Sequence, residues 1–174
     1  MISVNAWHGF LLYSHKNDRK QHTISQYAVS SGAFLRRHRA IHYLTSAILF
    51  VFSAGYLLPH GYVLAAVLLS GAAIFDALEV MTLNQKTASQ ITTVNSHIIT
   101  AWLMAFCYLF YASHVLAIAK LSEWFVWAIW VSFAVLLALS VNRKFKEFWL
   151  IQHAYFCFLA ALIVLAHITL LVSS

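Results

Sequence analysis

Apolar residues in this chain come in five continuous runs and do not alternate with polar ones. The runs are Ile41–Leu58, Tyr62–Leu83, Ile98–Ile118, Trp124–Val141 and Phe148–Val172. Each meets the length of about 17–25 residues that a helix needs to cross a bilayer. A helix satisfies every backbone group within its own segment, whereas barrel strands show a period of two. The pattern therefore predicts an all-α integral membrane protein, with five transmembrane helices in one domain over residues 41–174. Leu58-Pro59-His60-Gly61 marks a tight turn between the first two runs, which predicts an antiparallel hairpin there. Residues 1–40 read differently, as a polar, basic, cytoplasmic segment. Its one apolar patch, Ala6 to Tyr13, is interrupted by His8 and suits a short amphipathic turn on the membrane or a partly ordered tail. It has no basic stretch before it, so it is not a signal peptide.

Composition narrows the class further. Hydrophobic residues make up 62% of the chain and charged residues 9%, with a mean hydropathy of +0.77. Soluble domains average about 45–50% apolar and 25% charged residues. A soluble enzyme, a disordered tail and a disulfide scaffold are excluded. Cys107 and Cys157 both fall inside apolar runs without paired spacing and read as small buried hydrophobes.

The net charge of +6 acquires meaning from its distribution. Lys16, Arg19, Lys20, Arg36, Arg37, Arg39, Lys86, Arg143, Lys144 and Lys146 fall on one side of the five predicted spans, and Lys120 alone on the other. The positive-inside rule then predicts a cytoplasmic N-terminus and an external C-terminus, as in a bacterial inner membrane. Arg36, Arg37 and Arg39 are placed to meet anionic lipid headgroups. Nucleic acid is not expected as a partner, because no folded basic platform is present.

Ionisable groups within spans are costly and point to function. Asp76 and Glu79 lie three residues apart, on one face of the second helix near its cytoplasmic end. Two such carboxylates suit a proton relay or a bound cation, or simply a solvated interface. Six of the ten histidines fall in or at the ends of spans. They form two layers, His42, His97 and His153 inside, and His60, His114 and His167 outside. His153 and His167 face the same way on the fifth helix, about 21 Å apart along its axis.

Neutral imidazole is the usual axial ligand of haem iron, and two histidine layers suit two haems stacked across a bilayer. The stretch Arg39-Ala40-Ile41-His42-Tyr43 resembles the opening of the small diheme b-type cytochromes of bacterial inner membranes. Gln152-His153-Ala154 to Ala166-His167-Ile168 is similar to their last helix. That family has four spans, one fewer than the runs here. The resemblance implies electron transfer through haem b, with His42, His153 and His167 as ligands and quinone or another redox partner. His114, or else His60, would then complete the outer pair, and His42 and His97 compete for the inner one.

The same residues admit a second chemistry. His38 and His42 form an H-x-x-x-H pair. With Asp76, Glu79, His97 and His153 they could hold zinc or non-haem iron near the cytoplasmic face, as in a metal-dependent membrane enzyme. A cofactor-free subunit, scaffold or transporter component is the third reading. Trp124, Trp127 and Trp130 supply an aromatic face for lipid or a partner. A retinal protein fails for want of a lysine within a span, and broken inverted-repeat helices are missing.

Overall fold

The computed structural model describes residues 2–14, 24–86, 96–141 and 148–173. Every secondary-structure element among them is helical: α1 (Ile2–Ser14), α2 (Ile24–Ala28), α3 (Gly32–Phe52), α4 (Val63–Thr82), α5 (Ser96–Ile118), α6 (Glu123–Val141) and α7 (Phe148–Ser173). A single π-helical turn, Ser53–Leu57, extends α3. The continuous stretch Gly32–Leu57, α4 and α5 are each long and apolar enough to cross a membrane. Shorter apolar stretches occupy Glu123–Ala138 in α6 and His153–Thr169 in α7. Lys16, Arg19, Lys20, Arg143, Lys144 and Lys146 lie outside the described residues.

The apolar runs coincide closely with α4 to α7, and the first helix departs from expectation. It begins at Gly32, well before Ile41, because Ser31 caps it: the Ser31 hydroxyl accepts from the Phe34 N–H at 3.1 Å. A capped end satisfies one orphan donor, and the arginine-rich turn that follows is helix-compatible although polar. At the far end Ser53 donates to the Ala66 carbonyl at 2.6 Å and meets the Ser70 hydroxyl at 2.7 Å. There the ladder loosens to a five-residue step, Leu58 N–H to Ser53 carbonyl. The turn expected at residues 58–61 is present, with Gly61 at φ +80, a conformation glycine adopts without a Cβ clash.

Helix directions alternate. His42 near the start of α3 meets Asp76 near the end of α4, and Glu79 of α4 meets His97 at the start of α5. Trp102 and Phe110 of α5 contact Phe133 and Trp130 of α6, in reversed order. Tyr111 of α5 reaches His167 of α7, so these two run the same way. The bundle core is built by Leu69, Leu109, Leu116, Ile129 and Leu159. Close approach of α4 and α5 depends on Gly71, where a Cβ would stand 3.2 Å from the Cys107 sulfur, as small residues permit between membrane helices.

A second, smaller cluster closes one end. Trp7 and Leu11 of α1 pack with Ile24, Tyr27, Ala28 and Leu83. The N-terminal patch is therefore a helix seated against α3 and α7, and it carries His8 inward.

Candidate functional site

Three histidines converge beneath α1. The i,i+4 spacing puts His38 and His42 on one face of α3, ring centroids 4.3 Å apart. Helix α1 lays His8 against both, at 5.7 Å and 5.5 Å. All three are buried, and each offers a ring nitrogen within 4.8 Å of the others.

Hydrogen-bond partners fix where the protons sit. His42 Nδ1 faces an Asp76 carboxylate oxygen at 2.7 Å, so it donates, and its Nε2 keeps a lone pair. The other Asp76 oxygen accepts from the Ser46 hydroxyl at 2.7 Å. His8 Nε2 lies 3.3 Å from His42 Nε2 and donates to it. That leaves His8 Nδ1 as a bare acceptor, buried and without a hydrogen-bond partner. Burial above all, then the neighbouring His42 and His153, holds the His8 pKa well below the ordinary 6.5. His38 Nδ1 accepts from the Trp7 indole N–H at 3.1 Å.

A zinc-class ion fits this donor set. Metal–nitrogen bonds of about 2.0–2.1 Å in a tetrahedron place two ligand nitrogens about 3.3–3.4 Å apart, the separation His8 and His42 already have. A carboxylate on the far ring nitrogen, as Asp76 provides, is the usual support of a metal-binding imidazole. Ligation through Nε2 would shift the His8 proton to Nδ1, the ring nitrogen that is buried without a partner.

The other expected residues surround this centre or lie far from it. His153 of α7 is half-buried beside α1, its ring 6.4 Å from His8 and its Nε2 3.8 Å from the Cys157 sulfur. Its Nδ1, like Glu79 Oε2, is buried without a partner. Glu79 pairs with His97 at 3.2 Å, and His97 also meets Ser25 at 3.2 Å. At the opposite end His167 has both ring nitrogens engaged, by the Tyr111 hydroxyl at 2.6 Å and the Ile163 carbonyl at 2.7 Å. Among the described residues no hydrogen bond or ring contact joins His114 to His167. His60 sits exposed on its turn, donating to the Tyr56 carbonyl at 2.8 Å.

His8 and Ser25 are the site residues that sequence reasoning missed. His8 had one signal, a histidine interrupting an apolar patch. Arg39 turns away from the exposed Arg36 and Arg37 to bond the Val80 and Leu83 carbonyls. Set against protein families, curated proteins and solved structures, the chain matches none of them.

Proposed function

We propose that the chain is an integral membrane protein that binds a zinc-class transition-metal ion on His8, His38 and His42, at the end of the bundle where α1 docks. The observation that carries this reading is the buried, opposed pair of Nε2 atoms on His8 and His42, 3.3 Å apart, with Asp76 locking the far side of His42. Three imidazoles on such an ion leave a fourth position for water or substrate, which suits Lewis-acid chemistry. The chain's own residues do the positioning. Asp76 keeps the His42 lone pair aimed inward, and α1 lays Trp7 and His8 against the α3 histidines.

The topology that belongs to this reading has five spans, with the metal-binding end in the cytoplasm and an inner-membrane location. Helices α6 and α7, of 19 and 26 residues, meet the length a span requires, and the alternating directions support five passes. Arg36 and Arg37, exposed at that end, suit anionic headgroups.

Metal analysis of protein purified from zinc- and iron-replete cells tests the reading. About one ion per chain is expected, lost when His8 and His42 are both replaced by Ala. Protein that is metal-free and takes up no zinc on titration would overturn it. Bis-histidine haem with a quinone partner is the second reading. It is favoured by the unbroken run of α7 from Phe148 to Ser173, which sets His153 and His167 about 21 Å apart on one helix. A Soret band in the same preparation would select it.

A further inference from the structure

Beside the histidine centre, three other side chains from three separate helices form a chain of polar contacts. Glu79 of α4 holds His97 of α5, Oε1 to Nδ1 at 3.2 Å. His97 Nε2 in turn meets the hydroxyl of Ser25 on α2 at 3.2 Å. His97 and Glu79 are buried, whereas Ser25 is half-buried and accessible.

The direction of this chain is settled by a backbone group. His97 Nδ1 also faces the Glu79 carbonyl oxygen at 3.3 Å, and a carbonyl only accepts. Nδ1 therefore carries the proton, Nε2 of the neutral ring carries the lone pair, and the Ser25 O–H points at that lone pair. A hydroxyl donating to an imidazole whose other nitrogen is oriented by an acceptor, here the Glu79 carbonyl with the Glu79 carboxylate alongside, is the activated-nucleophile arrangement, recognised by geometry and not by order in the chain.

We propose that Ser25, His97 and Glu79 form a second centre, a serine nucleophile that cleaves carboxylic esters. The substrate class follows from the surroundings. Ile24 and Tyr27, beside Ser25 on α2, are buried in an apolar cluster with Leu83, and the site stands at the end of helices long and apolar enough to cross a membrane. An ester with an apolar acyl chain, presented from the bilayer surface, suits both. Ser25 Oγ bonds to the ester carbonyl carbon while its proton passes to His97 Nε2. As the carbon–oxygen bond to the alcohol breaks, His97 returns that proton to the leaving oxygen. Water then repeats the sequence on acyl-Ser25, giving the acid and free Ser25. Ser25 and His97 are the catalytic residues and Glu79 is a positioning residue.

The test is covalent labelling of the intact wild-type protein in detergent by an alkyl fluorophosphonate, with the modified peptide read by mass spectrometry. The label is expected on Ser25. It is expected to vanish in Ser25→Ala, to persist in Ser132→Ala, and to slow by about 10²–10⁴-fold in His97→Gln. Glu79→Asp should retain labelling that Glu79→Ala loses, which distinguishes positioning from mere packing. Chelator treatment should leave labelling unchanged, so this centre and the metal centre fail or stand separately. An unlabelled wild-type protein, or a label on any other residue, would overturn the proposal.

Discussion

Trp7 donates its indole N–H to Nδ1 of His38 at 3.1 Å. A residue of α1 thus occupies a lone pair that a metal ion could use, and the neutral His38 ring keeps its proton on Nε2. Ligation by His38 requires that this bond be exchanged. Trp7→Phe removes the competing donor and is expected to tighten zinc binding by about fivefold, the equivalent of one net hydrogen bond of about 1 kcal/mol. The same change removes part of the contact with Phe10 and Phe34, so thermal stability should fall while affinity rises. Competition against a chelator of known affinity reads the first effect. Weaker binding in the variant would show that Trp7 supports the site and does not compete with it.

Asp76 is expected to act on the metal through His42. In Asp76→Asn the amide oxygen can still accept from His42 Nδ1–H, but the negative charge that raises ligand basicity is gone. Affinity should fall by about 10-fold, the lower end of the effect of losing an outer partner. Asp76→Ala also strands Ser46, which donates to the same carboxylate, and should cost affinity nearer 100-fold together with stability. An unchanged affinity in both variants would place the ion elsewhere.

The regular parts of this architecture were legible because long, unbroken apolar runs form helices. The run Tyr62–Leu83 becomes the helix Val63–Thr82, since the Pro59–Gly61 turn and Asn84-Gln85-Lys86 bound it. The start of α3 at Gly32 was not legible. Hydropathy reads Arg36, Arg37, His38 and Arg39 as loop, whereas the Ser31 cap and an apolar seat for α1 make them helix. At the inner layer His42, His97, Asp76, Glu79 and His153 do gather at one end, but in separate pairs that no local spacing announces. His8 enters through the packing of Trp7 and Leu11, a tertiary event 34 residues from His42. At the outer layer Tyr111, one turn before His114, takes the place opposite His167.

Docking of α1 should depend on pH with a definite sign. His8 faces His38 and His42 of α3 and His153 of α7, and its pKa is held below 6.5 by burial first and by His42 and His153 next. The undocked helix therefore takes up a proton before the docked one does. Docking is complete above pH of about 6.5 and weakens as the pH falls below it, by up to about 1.4 kcal/mol per unit for one proton. Hydrogen exchange of the α1 amides at pH 7.5 and 5.5 measures this. Equal protection at both values would refute it, and His8→Gln should flatten the difference.

Arg39 is expected to matter for stability more than for lipid contact. Its Nε and Nη2 donate to the Val80 and Leu83 carbonyls at 3.0 Å and 2.7 Å. These carbonyls lie at the C-terminal end of α4, where acceptors lack helical partners and a cation is favoured. Arg39→Lys loses the forked geometry and should cost about 1 kcal/mol; Arg39→Ala should cost about 2–3 kcal/mol. Thermal unfolding in detergent reads both. Arg36→Ala and Arg37→Ala, at exposed positions, should instead weaken binding to anionic vesicles and leave unfolding unchanged.

The five-span topology gives the remaining prediction. The sequence assigns ten of the eleven Lys and Arg residues to the side that holds His8, His42, Asp76, His97 and His153, of which Arg36, Arg37, Arg39 and Lys86 are among the described residues, and that side is expected to be cytoplasmic. A reporter fused before Met1 should read as cytoplasmic and one fused after Ser174 as external. The decisive helix is α6. Trp102 and Phe110 of α5 meet Phe133 and Trp130 in reversed order, so α6 returns alongside α5 and brings the chain back before α7 departs. If α6 crosses, a reporter placed after Ser122 reads as external and one placed after Val141 as cytoplasmic. If instead both termini report the same side, one of α6 and α7 does not cross. His153 and His167 would then owe their neighbours to helix packing alone, without a membrane layer to separate them.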